Sequence, residues 1–100
     1  MSETLTQFGT SFQSKIVASL LSDIKFLQTI NDILEPNMFD SDSNKWLIKA
    51  IRNYYFEYKK QPTLEVLKVK IEEIDNDVLK SGVVEKLRET WKHIEATDLE

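Results

Sequence analysis

The chain contains no cysteine among its 100 residues, and it has only two glycines, two prolines and one histidine. Without cysteine there is no disulfide, no thiolate zinc site and no cysteine nucleophile, a pattern that fits an intracellular protein. Two glycines, Gly9 and Gly82, are too few for a Walker A loop or a dinucleotide-binding loop. We therefore expect no enzyme in this chain, with no catalytic, cofactor-binding or metal-ligating residue.

The sequence also lacks long apolar runs and an excess of positive charge. No run is long enough to span a bilayer, and the N-terminus has no apolar signal core. The net charge of -4 argues against broad binding to a phosphate backbone. Hydrophobic residues make up 41% and charged residues 30%, enough for one small core and a soluble surface. These features predict one soluble domain in the cytoplasm, with no membrane partner.

Two groups of polar residues could suggest chemistry, and neither pattern supports it. His93 lies beside Lys92 and Glu95, so a solvated histidine on a polar helix face is favoured over a general base. The polar run 40–44, which contains Asp40 and Asp42, has no glycine and no terminal glutamate at the spacing of a calcium loop. We expect this run to cap the helix that follows it.

Helical spacing of apolar residues runs through the chain, without any period of two, and so predicts an all-α fold. Thr10 and Gln13 fit a capping box at the start of a first helix. A second helix follows Ser22-Asp23 and should end at Glu35, because Pro36 disfavours helical geometry there. The apolar positions expected in these helices are Phe12, Ile16, Val17, Leu20, Leu21, Phe26, Leu27, Ile30, Ile33 and Leu34.

The middle of the chain predicts a turn and two more helices. Met38 and Phe39 should fill the core from the turn. A third helix is expected from about Lys45 to Tyr58, and Pro62-Thr63 should start a fourth. The third helix has a wide apolar face typical of a central position; it consists of Leu47, Ile51, Tyr54 and Tyr58, flanked by Ile48 and Tyr55. The fourth carries Leu64, Leu67, Ile71 and Ile74.

The last segment, from about Val78 to Ala96, predicts a strongly amphipathic helix. Its apolar seam consists of Val84, Leu87, Trp91 and Ile94. The seam is a candidate surface for self-association or partner docking, and an alternative is that it closes the helical bundle. We expect a flexible arm at 1–9, a helical domain at 10–96 and a tail at 97–100.

A short basic stripe on the third helix gives a second candidate surface. Its residues are Lys45, Lys49, Arg52 and Phe56. Positive charge beside an aromatic ring can hold a single nucleic-acid strand. Because the stripe is short and the chain acidic, we favour packing of Phe56 on the C-terminal helix with the charges solvated. Weak or no direct nucleic-acid binding is therefore expected.

The order of these features from Phe12 to Ile74 resembles the N-terminal domain of DnaB-type replicative helicases, most closely a phage-like version. The resemblance covers roughly two-thirds of the chain. No single motif accounts for the resemblance, which depends on the order and spacing of the residues along the chain. The matching positions are Gln13-Ser14 and Ile16 to Leu21 in the first helix, Ile33, Leu34, Pro36 and Phe39 at the turn, Trp46 to Ile51 and Tyr55 in the central helix, and Pro62, Thr63 and Leu67 after it.

The resemblance implies a small orthogonal multi-helix bundle that belongs to the non-catalytic collar of a helicase ring. In this family the N-terminal domain consists of a small helical head followed by a helical hairpin. Residues 80–96 would then be the last helix of the head or the start of the hairpin. The implied partners are copies of the same chain in a dimer or hexameric collar, primase and a helicase loader. ATP and magnesium would bind the motor domain of the parent protein, in the cytoplasm of the bacterial host if a phage encodes it. The alternative is a free-standing helical adaptor or inhibitor that binds a replication protein.

The chain departs from the bacterial pattern at two places. Bacterial members usually have a glutamate before the Gln-Ser pair and a glycine within the first helix, where this chain has Phe12 and Val17-Ala18-Ser19. Their central helix commonly begins near a polar pair such as His-Arg, where this chain has Lys45-Trp46. These differences favour a phage-like branch, and they leave the partner surfaces of bacterial members without a match here.

Overall fold

Every regular element between residues 10 and 98, the part of the chain described by the computed structural model, is helical. The elements are α1 (Thr10–Ser22), α2 (Ile24–Ile30), a 3₁₀ turn (Pro36–Met38), α3 (Asp42–Tyr58), α4 (Leu64–Glu72) and α5 (Asp77–Asp98). The all-α prediction is confirmed. The predicted arm at 1–9 lies outside the described residues, and α5 extends two residues into the predicted tail.

Side-chain caps fix where most of these helices begin. The Asp23 carboxylate accepts hydrogen bonds from the N–H groups of Lys25 and Phe26, at 3.0 and 3.2 Å. The hydroxyls of Ser41 and Thr63 each accept from the N–H three residues later, at 3.1 and 3.2 Å. Asn76 does the same for Leu79 at 2.9 Å. These bonds satisfy donors that a helix start would otherwise leave without partners.

The second helix is shorter than predicted. It ends at Ile30 rather than Glu35, and a hydrogen-bonded turn follows, in which the N–H groups of Ile33 and Leu34 both donate to the Ile30 carbonyl. Asn31 and Asp32 interrupt the apolar pattern here, and short polar side chains of this kind favour turns over helix interiors. The turn buries Leu34 and leaves Ile33 66% exposed, so the predicted apolar role of Ile33 is wrong.

The core lies where α1 and α3 pack against α5. Phe39 fills it from the turn and is 1% exposed, as predicted. Besides Ile33, predicted apolar positions outside it include Phe12, which is 40% exposed, and Tyr58, which is 53% exposed. The Tyr58 ring instead packs against Tyr54, with their centroids 4.5 Å apart and their planes tilted by 42°. The buried core residues are Val17, Leu20, Leu27, Leu34, Phe39, Leu47, Ile48, Ala50, Ile51, Leu67, Ile71, Val83 and Leu87.

The Thr10 side chain of the predicted capping box lies outside the described residues, and the Gln13 side chain bonds to the segment that starts α3. The Gln13 side chain is fully buried, and its oxygen accepts hydrogen bonds from the Asp40 N–H at 3.1 Å and from the Asn44 amide at 3.4 Å. Its own amide donates to the Asp40 carboxylate at 3.2 Å. Gln13 therefore joins α1 to the segment that starts α3.

Gly82 lies where α5 passes close to Ser43, near the start of α3. A Cβ added at Gly82 would overlap the hydroxyl of Ser43. Alanine is favoured over glycine inside a helix by about 1 kcal/mol. We expect Gly82→Ala to raise the free energy of unfolding by about that amount in a Ser43→Ala background, and by less in the wild type.

Urea denaturation of the two single variants and the double variant measures this coupling. An equal gain from Gly82→Ala in both backgrounds would contradict the close approach. A loss in both would mean that the backbone, and not the Ser43 hydroxyl, limits the space.

Candidate interaction surfaces

The predicted seam of α5 is divided between the core and the surface. Leu87 is 6% exposed and belongs to the core, whereas Val84 is 37% exposed. Trp91 and Ile94 are half-buried. The core line of α5 continues through Val83, which is fully buried and was not in the predicted seam. The seam is therefore buried in the bundle at Leu87 and faces outward at Val84.

The outward edge of the seam lines an open groove between α4 and α5, with a volume of about 740 Å³. Val84, Leu87 and Trp91 are three of its apolar lining residues, and Ile94 is not among them. From α4 come Leu64, Val69 and Ile71. We call this surface the α4–α5 groove. The α5 side of the groove was predicted as a candidate surface, and the α4 side was not, although its apolar residue Val69 is 62% exposed.

Charged residues border the α4–α5 groove on both sides. The α4 side carries Glu65, Lys68 and Glu72, and the α5 side carries Arg88, Lys92 and Glu95. Their ion pairs lie at exposed positions: Lys80 to Glu72 at 3.3 Å and Arg88 to Glu85 at 3.7 Å. Exposed pairs of this kind contribute little to stability. These side chains can therefore exchange their partners when another surface covers the groove.

The basic stripe of α3 has a more open geometry than predicted. Phe56 is 77% exposed, so the expectation that it packs on the C-terminal helix is wrong. The Lys59 ammonium lies over the Phe56 ring, 5.2 Å from its centroid. Lys59 has the left-handed backbone conformation that ends α3, with φ of 60°, and its N–H donates to the Tyr55 carbonyl at 2.7 Å.

Three of the four stripe residues line a second cavity, of about 680 Å³. They are Lys49, Arg52 and Phe56; Lys45 is not part of its lining. The remaining lining residues are Asn31, Asp32, Pro36 and Asn37 from the connection after α2, and Asn53 from α3. We call this the α3 cavity. The contribution of the α2 connection could not be predicted from local spacing, because it depends on where α2 ends.

Other chemistry is not assembled in the described residues. His93 is half-buried on α5 rather than fully solvated. Within 10–98 no group of three or more histidine, aspartate or glutamate side chains is placed to hold a metal ion. None of the helices in that range is both long enough and apolar enough to cross a bilayer.

No protein-family model matches this chain, and the comparisons with curated proteins and with solved structures found no significant match either.

Proposed function

We propose that this chain is the non-catalytic N-terminal collar domain of a replicative DNA helicase, in which it mediates ring assembly and docks primase or a loader. The observation that carries the proposal is an apolar groove that is open to solvent on an all-α domain. Such a groove is suited to binding a protein surface. The assignment to helicases comes from the sequence resemblance, and the cytoplasm is the compartment proposed with it.

The positions that carry the resemblance are consistent with a shared fold. Most of its apolar members are buried, namely Val17, Leu20, Leu34, Phe39, Leu47, Ile48, Ile51 and Leu67. Its Gln-Ser pair is buried as well: Gln13 bonds to Asp40, and the Ser14 hydroxyl donates to Glu89 on α5 at 3.3 Å. Buried polar residues that join distant segments restrict a sequence to one arrangement of its helices. The succession of residues thus coincides with positions that determine the fold.

The charges at the α4–α5 groove support a second copy of this chain as one occupant. Two of the three charges on the α4 side are acidic, and two of the three on the α5 side are basic. A two-fold axis along the groove would place the α4 side of one copy against the α5 side of the other. Each acidic edge would then face a basic edge, over an apolar centre that both copies bury.

Charge reversal in the α4–α5 groove tests this arrangement. We expect Lys92→Glu to weaken self-association by roughly tenfold, because a repulsive pair replaces an attractive one near desolvated apolar surface. Adding Glu65→Lys should restore part of the association. Lys25→Glu makes the same charge change at an exposed position on α2 and serves as the control. Sedimentation equilibrium at low and moderate salt measures the constants.

A Trp91→Ala variant tests the apolar part of the same groove. If this variant stays folded and keeps the wild-type mass in solution, the groove is not the self-association surface. If wild type is monomeric throughout and binds a purified primase or loader through the groove, docking is retained and self-assembly is rejected.

Reading the native gene past the codon for Glu100 tests the helicase assignment itself. A P-loop in the downstream codons supports the collar domain, with ATP and magnesium bound by that motor. A stop codon at that point supports the alternative, a free-standing helical adaptor or inhibitor that binds a replication protein.

A further inference from the structure

The α3 cavity is formed by two segments that approach each other from separate parts of the chain. Asn31, Asp32, Pro36 and Asn37 follow α2, and the other side comes from the second half of α3. Its volume of about 680 Å³ falls within the range typical of sites for small molecules. None of the residues that line the cavity belongs to the buried core.

Two buried polar atoms of the cavity-lining residues have no hydrogen-bond partner in the protein. They are the Nε of Arg52, which is a donor, and the Oδ1 of Asn31, which is an acceptor. Buried polar atoms are almost always paired, because leaving one unpaired costs free energy. Both atoms have almost no accessible surface, so neither faces the open cavity, and the case for a ligand rests on the charges and the aromatic ring.

The charge of the cavity differs in sign from that of the whole chain. Lys49 and Arg52 contribute two positive charges and Asp32 one negative charge, which leaves one positive charge. The chain carries -4. This local positive field in an acidic protein favours an anionic group on the ligand.

An aromatic ring stands at the edge of the cavity with most of its surface in water. Phe56 is 77% exposed, and the Lys59 ammonium lies over one face of its ring. An exposed ring beside positive side chains is the combination that proteins use to stack a nucleic-acid base. The expectation of weak or no nucleic-acid binding was based on the short stripe, the acidic chain and a packed Phe56, and the structure removes only the packing.

We propose that the α3 cavity binds a nucleotide unit. Lys49 and Arg52 hold its phosphate, and Phe56 stacks against its base. The exposed Asn53 side chain offers its amide group to the edge of the base. An inorganic anion alone would satisfy the positive side chains but would leave the exposed Phe56 ring without a role. Lys45 has no part, since it does not line the cavity.

The same chemistry could come from a free nucleotide or from one nucleotide of a single strand. Fluorescence anisotropy of a labelled short oligothymidylate at low salt measures strand binding, and thymidine monophosphate is the competitor. Tighter binding of the strand by tenfold or more assigns the site to single-stranded nucleic acid. Equal binding of the two probes assigns it to free nucleotides.

Variants at Phe56 and Lys49 should lower the affinity for the two probes. Phe56→Ala should weaken binding by about tenfold through the lost stacking, whereas Phe56→Trp should preserve it. Lys49→Glu should weaken binding and reduce the slope of log affinity against log salt by about one. Lys15→Glu makes the same charge change at an exposed position on α1, outside the lining of the cavity, and should leave the affinity near the wild-type value.

Phe56 and Lys49 are exposed, so these variants should unfold thermally like the wild type. The proposal is overturned if neither probe binds at low salt. It is also overturned if Phe56→Ala binds as tightly as the wild type, or if Lys15→Glu weakens binding as much as Lys49→Glu.

Discussion

Replacing Phe39 with alanine is expected to lower the free energy of unfolding by about 3–5 kcal/mol, the usual cost of removing a buried phenylalanine ring. The Phe39 side chain is 1% exposed and enters the core from the residue that follows the 3₁₀ turn. It packs in the same cluster as Leu47, Ile48 and Leu34. A small domain is stable by only about 5–15 kcal/mol, so this loss would be a large part of the total.

The chain contains its own matched control for this substitution. Phe56→Ala removes the same ring at a position that is 77% exposed, and we expect it to change the free energy of unfolding by no more than about 0.5 kcal/mol. Urea denaturation followed by circular dichroism measures both variants under one set of conditions. If the two variants lost similar stability, the assignment of Phe39 to the core and Phe56 to the surface would be wrong.

Features that depend on neighbouring residues could be predicted from the sequence. Ser41 and Thr63 cap their helices because a hydroxyl needs only the N–H group three residues later, which the local chain provides. The burial of Phe39 beside the Pro36 turn was predicted for a similar reason. The turn reverses the chain, and a large apolar residue there has a core within reach.

The two faces of α5 show why local spacing could not decide more. The predicted seam starts at Val84 and the observed core line at Val83, and both pass through Leu87 with helical spacing. The observed line continues to the small polar Thr90, which is 1% exposed, whereas the predicted seam continues to Trp91. Hydrophobicity favoured the tryptophan. The residues of α5 that are buried against α1 and α3 are instead Val83, Leu87 and Thr90.

The candidate sites depended even more on tertiary packing. The α3 cavity needs α2 to end at Ile30, so that Asn31 and Asp32 reach the basic stripe of α3. The α4–α5 groove needs α4 to lie beside α5 with Val69 left uncovered. Neither arrangement follows from periodicity, because periodicity identifies the apolar face of a helix and not the helix that covers it.

Gln13 is the residue whose role was most changed by the fold, and its substitution has the second large expected effect. We expect Gln13→Ala to lower the free energy of unfolding by about 2–4 kcal/mol. The substitution removes the acceptor of the partly buried Asp40 N–H and of the buried Asn44 amide, and each buried donor left unpaired costs about 1–3 kcal/mol. Gln28→Ala, at an exposed position of α2, should cost no more than about 0.5 kcal/mol.

Replacing Gln13 with glutamate separates this network from simple packing. The shape is kept, but a carboxylate would be buried beside the carboxylate of Asp40, and it could not donate the hydrogen bond that the amide donates now. Burial and like charge both raise the pKa of the introduced carboxyl in the folded state above its unfolded value of about 4.3. A carboxyl whose folded pKa is raised is favourable below its unfolded pKa, and this contribution is lost as the pH rises through the folded pKa.

The Gln13→Glu variant should therefore be least stable, relative to the wild type, at neutral pH, and the difference should shrink as the pH falls from about 7 to about 5. Denaturation in urea across that range measures it, with Gln28→Glu as the exposed control, whose difference from the wild type should vary little. A Gln13→Glu variant with wild-type stability at neutral pH would mean that Gln13 is open to water. The packing of α1 against the start of α3 would then depend on apolar contacts alone.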